Sequence, residues 1–234
     1  MLLLYLIKLI AVTLLGPFYF VAAVTAYLFN EDGAIGIYKS YERLIFKAFD
    51  IQISFKFDSP EIENSTNSIL VVLNQSSFLD SLVCPLIPIR PFKGIINFEF
   101  ALYPIQGWLA ALGSFVIIRQ WPNQAKRVLS KTNDYLQAGG NILISIEGKR
   151  SRNGEISEYK KGPIVMAINN HSNIVPIIIY GSRACLPFGS LRVRPGSIEL
   201  RFLKPISTKD LAYEDRNVLL ERITAIAKME GLLG

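Results

Sequence analysis

Histidine is almost missing from this sequence: His171 alone stands among 234 residues, and Cys84 and Cys185 are the only cysteines. Two thiols in apolar contexts, without metal-ligand spacing, exclude a disulfide-stapled secreted scaffold and a cysteine–histidine zinc site. They read as reduced core residues, in keeping with a cytoplasmic setting. Internal repeats and low-complexity tracts are missing too, which excludes solenoid arrays and compositional disorder. Acidic residues are the scarcer charge, 19 against 25 basic ones, leaving a net charge of +6. That balance suits anionic partners such as lipid headgroups or phosphorylated metabolites. Nucleic acid is set aside, because no recognised binding motif is present.

What the chain has in surplus is apolar length. Half of its residues are hydrophobic, and from Leu9 to Phe29 there are 21 residues without a charge. As a helix that run covers about 30 Å, one hydrocarbon thickness. Gly16-Pro17 interrupts it, so a kinked span and a re-entrant or surface-embedded helix are both compatible with the pattern. A cleaved signal peptide is the competing reading, but the usual basic stretch ahead of the apolar run is lacking. Residues 34–50, AIGIYKSYERLIFKAFD, repeat apolar positions at helical spacing. That predicts an amphipathic helix, packed on a core or lying at a membrane interface. Lys39, Arg43 and Lys47 place this side in the cytoplasm by the positive-inside rule. Residues 1–50 thus read as membrane-embedded or interfacial helices, and residues 51–234 as a separate α/β domain.

From residue 51 onward the pattern alternates. Strands are predicted at 51–57, 68–73, 92–98, 114–119, 141–146, 173–180 and 197–203, and helices at 78–87, 123–139, 162–170 and near 214–230. Isoleucine- and valine-rich strands alternating with helices predict a largely parallel sheet flanked by helices. Ligands sit at the carboxyl ends of such strands. NQSSFLD (74–80) follows the second strand there, and EGKRSRNG (147–154) follows the fifth. On its own, Ser77-x-x-Asp80 is a capping-box pattern that favours a helix start. Lys149, Arg150 and Arg152 beside a turn at Asn153-Gly154 form either a phosphate grip or a solvated basic loop.

Taken together, these stretches resemble the glycerolipid acyltransferases, typified by the 1-acylglycerol-3-phosphate (lysophosphatidate) acyltransferases. NQSSFLD is similar to the family's N-H-x-x-x-x-D motif, with Asn74 and Asp80 in place and Gln75 where the family has histidine. IEGKRSRNGEISEYKKG (146–162) is similar to its E-G-T-R block. There Glu147, Gly148, Arg150, Ser151, Gly154, Lys160 and Gly162 agree, while Lys149 replaces threonine and Tyr159 replaces phenylalanine. FEFALYPIQGWLAALGSFVIIR (98–119) resembles a further block through Glu99, Pro104, Gly107, Gly113 and Arg119, with Asn97 where lysine is common. NIVPIIIY (173–180) resembles the fourth.

The resemblance implies an O-acyltransferase with an N-terminal membrane-associated helix pair. Position 75 and Asp80 would be catalytic, and Asn74, Arg119, Glu147, Gly148 and Arg150 would bind substrate, with Arg150 as the phosphate ligand. The acceptor implied is a lysophosphatidate-like lipid entering from the bilayer at the cytoplasmic face. The donor is a fatty acyl thioester on coenzyme A or acyl carrier protein, and no metal or redox cofactor is implied.

In that mechanism the histidine takes the acceptor's proton while the aspartate orients the ring. Gln75 can donate a hydrogen bond to Asp80 but cannot take the proton. His171 precedes the strand at 173–180, and right-handed crossover topology predicts it at the opposite edge of the sheet, as an exposed turn residue. Three readings stay open: an inactivating change at a histidine position, a natural relative that binds lysophospholipid or acyl thioester without turnover, and slow transfer using Asp80 or a water it holds. A serine hydrolase using Ser76 or Ser77 lacks a G-x-S-x-G elbow.

Overall fold

The computed structural model describes residues 2–148, 150–151 and 155–232. Helix α1 (Leu2–Tyr27) is continuous through Pro17, so Gly16-Pro17 does not end it. Proline removes a single donor from a long helix, and the surrounding turns hold. Gly16 allows close packing instead: a Cβ there would lie 2.9 Å from the Tyr41 hydroxyl and 3.0 Å from Ile105. Tyr41 in turn donates to the Val12 carbonyl at 3.0 Å, fastening α1 to the next helix. The outer side of α1 leaves Leu3, Leu14, Phe18 and Val21 exposed. By length and composition α1 is the one helix among the described residues able to cross a membrane.

Helix α2 (Glu31–Ala48) begins where the Asn30 side chain accepts from the Asp32 N–H at 2.9 Å, with Glu31 and Asp32 in the first turn and Lys47 in the last. Those charges complement the helix dipole at both ends. One face of α2 buries Ala34, Tyr38, Tyr41, Glu42 and Phe46, and the other exposes Arg43 and Lys47.

The chain then builds strands β1 (Ile51–Phe57), β2 (Ser68–Val72), β3 (Phe92–Asn97), β4 (Ser114–Ile117), β5 (Asn141–Ser145), β6 (Asn173–Tyr180) and β7 (Gly196–Phe202). They form one sheet in the order β1-β7-β6-β2-β5-β3-β4. Strands β6, β2, β5, β3 and β4 are parallel; β7 pairs antiparallel with β6, and β1 pairs parallel with β7. The first and last strands therefore run against the other five. One result is that Ile51, opposite Gly196, begins its strand at the edge where β2, β5 and β6 end.

Every residue of β2 is buried, as its unbroken run of β-branched and leucine side chains predicts for a central strand covered on both faces. Leu70 and Val72 join Phe46, Leu82 and Ile177 on one face, while Ile69 and Val71 join Ile142, Ile164 and Ile223 on the other. Each such side chain contributes about 1.5–3 kcal/mol relative to exposure. The remaining helices are α3 (Leu79–Val83), α4 (Phe98–Ala101), α5 (Gln106–Leu112), α6 (Pro122–Gln137), α7 (Gly162–Asn169), α8 (Ser182–Cys185) and α9 (Arg216–Met229). Both cysteines are free thiols.

Candidate active site

The two stretches singled out in the sequence meet at the carboxyl edge of the sheet. Past β2, both ends of the Asn74 amide bond the Ile179 backbone, donating to its carbonyl at 2.7 Å and accepting from its N–H at 2.8 Å. Asn74 thus clamps two strand ends, and it also lines the cavity beside Gln75. Gln75 donates its N–H to Glu147 Oε1 at 2.9 Å and accepts the Ser151 N–H at 2.7 Å. Glu147 is 2% exposed, and its other oxygen accepts from the Ser157 N–H and hydroxyl at 2.8 and 2.9 Å. A buried carboxylate with three donors is stabilised in place. Tyr159, where the resemblance had phenylalanine, donates to the Leu73 carbonyl at 3.0 Å. The segments 73–77 and 146–160 are stitched together along their described length.

Asp80 is 1% exposed. Its Oδ2 accepts from the N–H groups of Ser76 and Ser77, both at 2.8 Å, which is one half of the capping box. The other half does not form: the Ser77 hydroxyl accepts from Leu79 at 3.2 Å and donates to the Leu186 carbonyl at 2.8 Å. Oδ1 is buried with no hydrogen-bond partner. The bond expected from the Gln75 amide to Asp80 is therefore not made; backbone N–H groups orient the carboxylate instead. Burial pushes the Asp80 carboxyl up to about 6, against the downward pull of the Ser182 hydroxyl, the Ser77 and Ser76 N–H groups and the Arg150 charge. Ser182 lies close by without reaching hydrogen-bonding geometry.

Arg150 is half-buried, its guanidinium 5.3 Å from the centre of the Phe78 ring and 5.9 Å from that of Phe188. Phe78 continues into an aromatic wall with Tyr103 and Phe100, at ring separations of 5.8 and 6.2 Å. Arg119 donates to the Gly148 carbonyl at 2.8 Å. Gly148 sits at φ +70°, and a Cβ there would stand 3.1 Å from the Arg119 guanidinium, so position and neighbour both favour glycine. Lys149, Arg152, Asn153 and Gly154, with the expected turn, lie outside the described residues. A cavity of about 160 Å³ opens beside Gln75, Ser76, Glu147 and Ser151, closed by Gly231 and Leu232. Nothing in the sequence signalled that the C-terminal segment returns to this loop.

His171 is exposed, with φ +49°, ahead of β6. Because β2 and β6 are parallel, it lies at the opposite edge from Gln75. Among the described residues no group of three or more histidines, cysteines or acids could hold a metal ion.

A sequence profile described as Acyltransferase matches residues 54–180. The 1-acyl-sn-glycerol-3-phosphate acyltransferase of Limnanthes douglasii is 31% identical over 63% of this chain and 53% of that protein. The enzyme of the same name from Cocos nucifera is 31% identical over 70% of this chain and 54% of its own length. The chain thus spans about half the length of these relatives. Its fold is shared with the crystal structure of the 1-acyl-sn-glycerophosphate (LPA) acyltransferase PlsC from Thermotoga maritima. That likeness has a TM-score of 0.75 at 18% identity, covering 98% of this chain and 94% of that one.

Proposed function

Because this chain belongs to the acyltransferase family, we propose that it moves a fatty acyl group from a thioester to the free hydroxyl of a lysophosphatidate-like lipid. The observation that carries this reading is the oriented, buried Asp80 with its unpartnered Oδ1. That atom is a socket for an N–H donor at position 75. An imidazole there would donate to Oδ1 from one ring nitrogen and take the acceptor's proton with the other. The acceptor oxygen attacks the thioester carbonyl, the C–S bond breaks, and the proton leaves with the thiol. Arg150, held among aromatic rings, is the charge available to the acceptor's phosphate. Gln75 leaves the base half of the device empty, so the proton passes to water and turnover falls by about two to four orders of magnitude. The exposed apolar side of α1 supports action at a membrane surface, with the basic side of α2 facing the cytoplasm.

A second reading, capture of the acceptor without turnover, is favoured by the complete burial of Oδ1, which no substrate hydroxyl reaches directly. Thiol release from acyl-coenzyme A and acyl carrier protein thioesters in the presence of lysophosphatidate decides between them, comparing the chain with Gln75→His. Slow release that rises about 10²-fold or more in the variant supports acyl transfer. Binding of lysophosphatidate with no release from either protein supports capture. Equal, fast release from both removes Gln75 from the mechanism.

A further inference from the structure

Helices α4 and α5 form an elbow that leaves the carboxyl end of β3. No charged residue falls between Glu99 and Arg119. The turn of the elbow exposes Leu102 and Tyr103, and α5 exposes Trp108. Its backbone is tightly held. Gly107 donates its N–H to the Tyr103 carbonyl at 2.9 Å, and Ile105 stands at φ +62°, a conformation that β-branched side chains rarely adopt. A fixed turn that shows apolar side chains to water is disfavoured there, and an apolar partner relieves that cost.

Contacts on either side of the elbow say what that partner is. On one side the elbow packs on α1. The Trp108 ring lies 5.2 Å from that of Phe20, and Ile105 stands 3.0 Å from where a Cβ on Gly16 would be. Helix α1 is long and apolar enough to cross a membrane, so its exposed side and the elbow join in one apolar surface. On the other side, the Tyr103 ring lies 5.9 Å from that of Phe100 and 5.8 Å from that of Phe78. Phe78 in turn lies 5.3 Å from the Arg150 guanidinium. Exposed tyrosine and tryptophan rings are the side chains that settle between hydrocarbon and headgroups. A second copy of the chain would use only the apolar patch; a row of rings that ends at a cation suits an amphiphile with an anionic head.

We propose that the α4–α5 elbow docks into the lipid interface beside α1, with Leu102 among the acyl chains, and that Tyr103, Phe100 and Phe78 form the track on which the acceptor's tail lies while its phosphate meets Arg150. The track rests on the acceptor proposed above; the docking does not.

The docking is tested in the full chain by tryptophan quenching. Trp108 and Trp121 are its only tryptophans, so Leu102→Trp combined with Trp108→Phe and Trp121→Phe places a single indole at an exposed position. The vesicles are phosphatidylglycerol mixed with phosphatidylcholine brominated near the headgroup end of its acyl chains. Fluorescence should fall about twofold, because interfacial side chains reach roughly 5–10 Å below the headgroups, the depth of those bromines. Trp121→Phe alone changes nothing within the elbow and leaves Trp108 as the reporter, which should be quenched as well. Quenching at Trp108 but not at position 102 confines the contact to α1 and overturns the docking. Quenching at neither position also overturns it, and a dimer in that preparation assigns the surface to a second copy. The track is tested by binding of long-chain and of acetyl lysophosphatidate. Tyr103→Ala should weaken the long-chain lipid by about tenfold, the equivalent of roughly two buried methylenes, and leave the acetyl compound unchanged. An equal effect on the two, or none, overturns the track while the acceptor stands. Binding of neither by the unaltered chain overturns the acceptor and the track together, and the quenching still decides the docking.

Discussion

At the scale of single residues, the proposed function makes the carboxyl of Asp80 and the side chain at position 75 an incomplete pair. Asp80 has a folded pKa of about 6 against an ordinary value of 3.8, raised by burial. The folded protein therefore holds this proton more tightly than the unfolded chain. The stability it confers is full below about pH 4, is lost as pH rises to about 6, and stays lost above that. Asp80→Asn should remove this decline. The variant's unfolding free energy relative to the parent should improve by on the order of 1 kcal/mol between pH 5 and pH 8, as thermal melts at the two pH values would show. In a Gln75→His background the same change should abolish turnover. Asn74→Ala should cost about 2–4 kcal/mol in chemical denaturation, because two hydrogen bonds go and the Ile179 backbone is left unpaired. Much of this site was legible in the sequence: Gln75, Asp80, Glu147 and Arg150 do converge. The missing Gln75–Asp80 bond was not, since backbone N–H groups that compete for a carboxylate leave no trace in residue type. Glutamine and histidine codons differ only in their third base, so Gln75 and the histidine that the proposed mechanism calls for are one nucleotide apart.

At the scale of elements, a single carboxylate holds the loop after β5 against the loop after β2. Glu147→Gln presents an amide where three donors converge, so one donor faces another. Hydrogen exchange at the Gln75 and Ser157 amides should quicken by about tenfold or more, the equivalent of one lost charge-assisted bond, while core amides of β2 and β6 keep their protection. Gly107→Ala should be more damaging, because a Cβ there would fall 2.1 Å from the Phe100 carbonyl oxygen and force α4 from α5. A melting temperature lowered by several degrees, or loss of soluble protein, is the expected result. The strands were legible to within a residue or two because β-branched runs bounded by turn residues leave a strong period. Helices α4, α5 and α8 went unread, since four to seven residues are too few to display a helical repeat. The reversed direction of β1 and β7 also left no local mark, as a strand's residues do not record which neighbour it will pair with.

At the scale of the whole molecule, topology joins the apolar helices to the site. Helix α2 starts near Lys93, where Glu31 pairs with it at 2.7 Å at the beginning of β3, and ends just before β1 at the opposite edge. Helix α1 runs back beside it, so that Lys8 meets Asp50 and Tyr5 bonds the Leu191 carbonyl. If α1 docks on lipid, paired Leu14→Lys and Phe18→Lys changes should move the protein from the membrane pellet to the supernatant in vesicle sedimentation, with the fold retained because both side chains are exposed. The reversed outer strands have an energetic corollary. The first turns of the apolar helix and the carboxyl ends of the strands that carry the candidate site share one edge, which under the proposed function would keep the reaction at the depth of the lipid interface. Pulling a chain of sixteen carbons out of a bilayer costs about 0.8 kcal/mol per methylene, roughly 12 kcal/mol in all. A site on the far edge would have to overcome that desorption at every turnover, whereas the acceptor of the proposed reaction would arrive here by lateral diffusion with its tail still immersed.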